Sequence, residues 1–207
     1  PPPPPPPPPH FFFTHTPQSA RLSGLVGSEM CIRDRPKHRP YKTPVPDASQ
    51  TTASHATKLL RRSLANGRLG HAYLFVGGTI EALEAYATGL ARTINCQSPP
   101  ATGETGIPLE SCGGCIPCRK VDSGNFPDLD FVRPEKKSRI ISIDQIRNIT
   151  RKVSLKPTEG RYKVAIITGA DRMPGPTFNA FLKTLEEPPE RTVFILLTVQ
   201  PDRLGET

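Results

Sequence analysis

Of the 207 residues, the first 40 read unlike the remainder, which leaves about 167 for a folded body, the size of one domain. With 35% hydrophobic residues, 22% charged, no Trp and a mean hydropathy of −0.39, no apolar run approaches the roughly 18–20 residues a membrane-spanning helix needs, which excludes one. The net charge of +8 is spread thinly: Arg21, Arg33, Arg35, Lys37 and Arg39 stand against Glu29 and Asp34 in the first 40 residues, and the body carries the other +5. That bias is compatible with work near DNA but does not by itself point to direct contact.

Pro1 to Pro9 form a homopolymer that has no apolar face to bury. Phe11 to Phe13 follow, and the stretch to Arg35 shows neither helical nor strand periodicity. Residues 1–40 are therefore expected to be a disordered, non-native leader, residues 41–56 a linker rich in Pro, Thr, Ser and Gln, and residues 57–207 the folded body.

The body opens with a short amphipathic helix from Thr57, with Leu59, Leu60 and Leu64 on one face and Asn66-Gly67 as its stop. Ala72–Val76 is a compact apolar run closed by Gly77 and Gly78, a buried strand entering a turn. His71, just before it, is expected to be a packed residue and not a catalyst. Ile80, Leu83, Tyr86, Ala87, Leu90 and Ile94 recur at spacings of three and four, predicting the helix that follows.

Further on, Ser142 and Gln145 make a capping box before the stripe Ile143, Ile146, Ile149 and Val153. Lys163–Thr168 reads as a second buried strand and Thr192–Thr198 as a third. Between them a helix over 177–186 buries Phe178, Phe181, Leu182 and Leu185 and stops at Pro188-Pro189. Buried apolar strands alternating with amphipathic helices predict an α/β fold, a parallel sheet covered on both faces.

Two constellations bear on chemistry. Cys112-Gly-Gly-Cys115 and Cys115-Ile-Pro-Cys118 overlap, and Cys96 lies 16 residues upstream of the first of them. Four thiols at such spacing suit tetrahedral zinc, with Cys96, Cys112, Cys115 and Cys118 as ligands. A disulfide or a redox dithiol would leave two of them without a task. Four protein ligands leave no position for water, so the zinc is expected to be structural, in a reduced, cytoplasmic compartment.

The second constellation is a loss. A phosphate-binding loop needs G-x-x-x-x-G-K-[ST] between strand and helix. Gly77 and Gly78 begin correctly, but Ala82 stands at the second Gly, Leu83 at the Lys and Glu84 at the hydroxyl, and Glu81 and Glu84 add repelling charge.

The motifs Gly70-His-Ala-Tyr-Leu-Phe75, Ile94-Asn-Cys96, Ser111 to Cys118, Asn125-Phe-Pro-Asp-Leu129 and Asn179-Ala-Phe-Leu-Lys-Thr-Leu-Glu-Glu-Pro-Pro189 together resemble the clamp-loader subunits of bacterial DNA polymerase III. The resemblance implies a P-loop NTPase domain of the AAA+ type with an inserted four-cysteine zinc module at about 96–118. Of the two paralogous types, the chain looks more like the non-hydrolysing delta-prime than the ATP-hydrolysing gamma/tau. The loop is degenerate, and after Val164 to Ile167 the acidic pair that would hold Mg²⁺ is replaced by Thr168 and Gly169. Asp171 is similar to the delta-prime pattern or is a plain loop carboxylate, and neither reading makes a magnesium site.

The resemblance further implies no bound ATP, no catalysis of its own, and a stator-like place in a ring that loads the sliding clamp on primed DNA beside gamma/tau and delta. It places Lys183, Glu186 and Glu187 at a neighbouring subunit, whereas spacing alone reads them as a solvated face with Lys183 and Glu187 paired. The family's arginine finger, helical lid and collar have no counterpart in the sequence, which ends at Thr207.

Overall fold

The structure, a computed structural model, describes residues 55–77 and 79–204. The expected leader, and the expected linker up to residue 54, lie outside the described residues. Helix α1, His55–Ala65, begins two residues inside the segment expected as linker. Strand β1 (Ala72–Val76) leads to helix α2 (Ile80–Ile94), and a loop and the short helix α3 (Ile116–Asp122) carry the cysteines. Strand β2 (Leu129–Val132), helix α4 (Ile143–Val153), strand β3 (Lys163–Thr168), helix α5 (Gly175–Glu186) and strand β4 (Thr192–Thr198) complete the order.

The four strands form one sheet in the order β1-β4-β3-β2, every pair parallel. Parallel strands need helical crossovers, and these cover both faces. Alternation along the strands divides the core into two. Ala165, Ile167, Phe194 and Leu196 face α4 and α5, while Val164, Ile166, Val193, Ile195 and Leu197 face α1 and α2. On the first side Phe181 and Phe194 meet edge to face at 5.2 Å between ring centres, and both are fully buried. Such a pair adds about 0.5–1.5 kcal/mol to what area burial contributes.

The capping box of α4 forms as read, Ser142 accepting from the Gln145 N–H while the Gln145 side chain accepts from the Ser142 N–H. Gly67 adopts φ 68° and stops α1. Three expectations are corrected. Leu59 is exposed, because five residues of helix turn it well away from buried Leu64, and Tyr86 is exposed on the flank of α2 beside buried Leu83, Ala87 and Leu90. Helix α5 starts at Gly175, since Pro176 fits a first turn where no N–H partner is needed. Strand β2 and helix α3 are additional elements.

A buried polar spine holds the end of the sheet opposite Gly77. Asp128, 1% exposed, accepts the backbone N–H groups of Thr158, Glu159 and Gly160 at 2.7–3.0 Å and the Lys163 ammonium at 3.2 Å. Burial works to raise its carboxyl and these donors outweigh it, holding the group below its ordinary value of 3.8.

Candidate functional site: a four-cysteine centre and a filled phosphate loop

Cys96 follows the last turn of α2 directly, Cys112 lies in the loop, Cys115 caps α3 and Cys118 sits within it. Pro117 suits the first turn of that helix, and Gly113, at φ 71°, lets the loop turn between Cys112 and Cys115. Four sulfurs from residues 96–118 thus converge within 4.8 Å of one another. None is in a disulfide.

Zn–S bonds of about 2.3 Å arranged tetrahedrally set sulfurs about 3.8 Å apart. The Cys96 and Cys115 sulfurs are 3.9 Å apart. Backbone N–H groups already point at sulfur, Cys112 N–H to Cys96 Sγ and Cys115 N–H to Cys112 Sγ, both at 3.3 Å. Such bonds stabilise thiolate. Desolvation pushes against it at Cys115, but the N–H groups of Cys118 and Gln97 and neighbouring thiols bring that thiol down to about 6. Cys112 is lowered, chiefly by the N–H groups of Cys115 and Gly114, whereas burial raises Cys96 and Cys118. The donor set therefore fits a thiophilic metal ion, and Cys96, Cys112, Cys115 and Cys118 could hold one.

The module is tied to the body at its root. Asn95, fully buried beside Cys96, accepts the N–H groups of Arg161 and Tyr162 at 2.8 and 2.9 Å and donates to the Ala91 carbonyl. Lys120 of α3 pairs with Glu159 at 2.6 Å, and Arg161 donates to the Gly106 carbonyl. Residues 159–162 are thus held by the cysteine module on one side and by Asp128 on the other.

At the C-terminal end of the sheet the loop after β1 is filled by its own protein. Gly78 lies outside the described residues. Gly77 passes so close to Leu83 that an added Cβ would meet its Cδ2 at 2.9 Å, and Leu83 is buried in the core beneath α2. Glu84 accepts the hydroxyl of Thr168 at 2.8 Å and binds Arg133 through Nε and Nη2 at 3.0 and 3.1 Å. Arg133 also lies 4.5 Å above the Phe131 ring, a cation–π contact. A guanidinium and a hydroxyl thus use the carboxylate at the position where a phosphate loop has its metal-binding hydroxyl. This network joins residues 49 and 84 positions apart, whereas from sequence Glu84 stands only for a missing hydroxyl and a repelling charge.

Gly169 turns at φ 70° after Thr168, and Asp171 accepts the Thr198 hydroxyl at 2.6 Å, the role of a loop carboxylate. Lys183, Glu186 and Glu187 are all exposed, and no ion pair joins Lys183 to Glu187 among the described residues. His71 is half-buried, its carbonyl accepting the Phe194 N–H, and its Nε2 is buried with no hydrogen-bond partner among the described residues.

A family model described as DNA polymerase III, delta subunit, matches residues 52–207. The chain is 38% identical over 154 residues to the delta-prime subunit of DNA polymerase III from Bacillus subtilis, covering 72% of this chain and 43% of that protein. It is 36% identical over 153 residues to the tau subunit of Escherichia coli, covering 74% of this chain and 22% of that protein. Among solved structures, a DNA polymerase III gamma subunit-related protein from Thermotoga maritima matches with a TM-score of 0.50 and 25% identity, over 72% of this chain and 40% of that one. The chain spans less than half the length of these relatives.

Proposed function

Because the chain belongs to the family of DNA polymerase III clamp-loader subunits of the AAA+ type, we propose that it serves as a delta-prime-type member of the complex, one that does not hydrolyse ATP. The observation that carries this reading is the bonding of Glu84 to Thr168 and Arg133. An ATP-hydrolysing subunit needs, in this region, a lysine for phosphate, a hydroxyl for Mg²⁺ and carboxylates at the end of β3. Leu83, Glu84, Thr168 and Gly169 supply none of these. A triphosphate entering here would meet a carboxylate and would have to displace a bidentate ion pair.

The four-cysteine centre is assigned to structural zinc, since four thiolates close the tetrahedron and leave no position for substrate. Thiols kept as metal ligands fit a reducing compartment, the cytoplasm. Function then rests on surfaces. The exposed charges Lys183, Glu186 and Glu187, on the helix whose other side is core, are placed against a neighbouring subunit, gamma/tau or delta. Through the assembled ring the chain would take part in loading the sliding clamp on primed DNA.

Identity alone separates the two paralogues poorly, so nucleotide binding is the test. Calorimetric titration of the whole chain with Mg-ATP is expected to give no binding below millimolar concentrations, alongside one zinc per chain and retention by gamma/tau and delta in a pull-down. Submicromolar to micromolar binding of ATP would favour the gamma/tau reading.

A further inference from the structure

The four sulfurs of the cysteine module are not equivalent. Cys96 and Cys118 are fully buried, one just past the end of α2 and the other within α3, whereas Cys115 is half-buried and Cys112 is exposed. An oxidant arriving from solvent therefore meets Cys112 first. Cys115 lies across Gly113 and Gly114 from it, both exposed, and a Cβ built on either glycine would meet nothing within 4 Å. All four sulfurs already lie within 4.8 Å of one another. The open two-glycine turn leaves the Cys112 and Cys115 sulfurs free to draw together to bonding distance, while Cys96 and Cys118 are fixed by packed helices.

The loop between Cys96 and Cys112 is a clip on the body. Glu104 N–H donates to the Ala65 carbonyl at 2.9 Å, and Arg61 of α1 pairs with Glu110. Gly103 passes so close to the end of α1 that an added Cβ would meet the Leu64 and Ala65 carbonyl oxygens at 2.5 and 2.7 Å. Thr105 fills the space beside Gly67, which stops that helix. On the other side Arg161 donates to the Gly106 carbonyl at 3.0 Å. One loop thus joins the end of α1 to residues 159–162, and the cysteines anchor that loop at both of its ends.

We propose that Cys112 and Cys115 form an oxidative modification site through which a hydroperoxide opens this clip, an inference that rests on reading the four cysteines as metal ligands. The Cys112 thiolate attacks hydrogen peroxide: an S–O bond forms, the O–O bond breaks, the sulfur gives up an electron pair and hydroxide departs. The Cys115 thiolate then attacks the Cys112 sulfur, forming the S–S bond and expelling the second oxygen as hydroxide. Both hydroxides take protons from solvent and leave as water. Two of four ligands are thereby withdrawn, and Cys96 and Cys118 alone do not complete a tetrahedral site, so the metal is given up. A dithiol reverses the change by becoming the disulfide itself and returning two thiols.

The test uses the whole chain with its zinc content measured, treated with hydrogen peroxide, alkylated and digested with trypsin. Residues 93–119 leave as one peptide, since no Lys or Arg falls between Arg92 and Arg119, and Cys31 falls in another. That peptide is expected to be two hydrogens lighter than its reduced form, with alkyl groups on Cys96 and Cys118 only. One zinc per disulfide should pass to a chelating dye, and amide exchange should speed at 64–67, 101–110 and 159–162 while β3 and β4 stay protected. Dithiothreitol with added zinc should restore the parent pattern. In Cys112→His an imidazole keeps the fourth ligand but offers peroxide no exposed thiolate, so zinc release is expected to slow by about tenfold or more. Four cysteines still open to alkylation after peroxide, a disulfide in any other pairing, or equal release by Cys112→His and its parent overturns the proposal. A Cys112–Cys115 disulfide with zinc retained overturns the opening of the clip alone. A chain that neither holds nor takes up zinc overturns the metal reading on which the proposal rests.

Discussion

Thr168 donates its hydroxyl to the Glu84 carboxylate at 2.8 Å, linking the end of β3 to the first turns of α2 across 84 residues of sequence. The same carboxylate takes Arg133 from the end of β2, so one side chain of α2 gathers the ends of two strands. Its own side chain is only 14% exposed while that of Arg133 is 46% exposed. Solvent screening at the arginine keeps the pair's contribution modest. Glu84→Ala is expected to lower stability by about 1 kcal/mol, read from urea denaturation. The variant Leu83→Lys/Glu84→Thr is expected to remain without measurable ATP hydrolysis, because Thr168 and Gly169 still offer no carboxylate for Mg²⁺. Turnover by that variant above the parent's background would show the loop to be the sole defect.

Metal removal should be felt beyond the cysteines. Asn95, Lys120 and Arg161 tie the module to residues 159–162. Treatment with a strong chelator is expected to speed amide hydrogen exchange at 159–162 as well as at 96–118, while the β3 and β4 amides stay protected. Equal protection of 159–162 with and without chelator would mean that the module and the loop are uncoupled. Cys115→Ser is expected to reproduce the effect without chelator.

The Asp128 carboxylate and Lys163 form a buried pair with side-chain exposures of 0% and 9%. Asp128→Ala leaves an uncompensated ammonium and three orphaned N–H groups, and is expected to cost about 3–5 kcal/mol in chemical denaturation. The carboxyl lies below its ordinary value of 3.8 in the folded chain. Its contribution is therefore complete above that value and is lost as pH falls through the lowered one. Stability of the parent should drop more steeply below pH 3.8 than that of Asp128→Asn, whose side chain does not titrate.

Arg191 adopts φ 54° just before β4, where its carbonyl accepts the Lys163 N–H. Asparagine takes the left-handed conformation more readily than arginine, and the carbonyl is unaffected by the exchange. Arg191→Asn is expected to stabilise the chain by about 0.5–1 kcal/mol, a rise of about 1–4 °C in Tm. A fall in Tm would mean that the arginine side chain makes a contribution larger than the backbone strain.

Strands β1, β3 and β4 were legible because each is an uninterrupted apolar run buried on both faces, and their bounds coincide with those read from sequence. The edge strand β2 was not, since Asp130 interrupts its apolar pattern and survives there by pairing with Lys152 at 2.6 Å. Helix α3 hides in the cysteine spacing, too short to show a period. The cysteines themselves were legible as a cluster, because their chemistry is local. What sequence spacing does not carry is contact across the fold. Glu84 met its partners only once the sheet had brought distant strand ends together.

The Glu84 network also resists single exchanges at this loop. A hydroxyl at position 84 strips Arg133 of its counter-charge, and an acid at 168 sets two carboxylates against each other. Each such exchange is thus destabilising when taken alone, and only a concerted one avoids the cost. A chain that carries an internal ion pair at this place is held to it by its own stability.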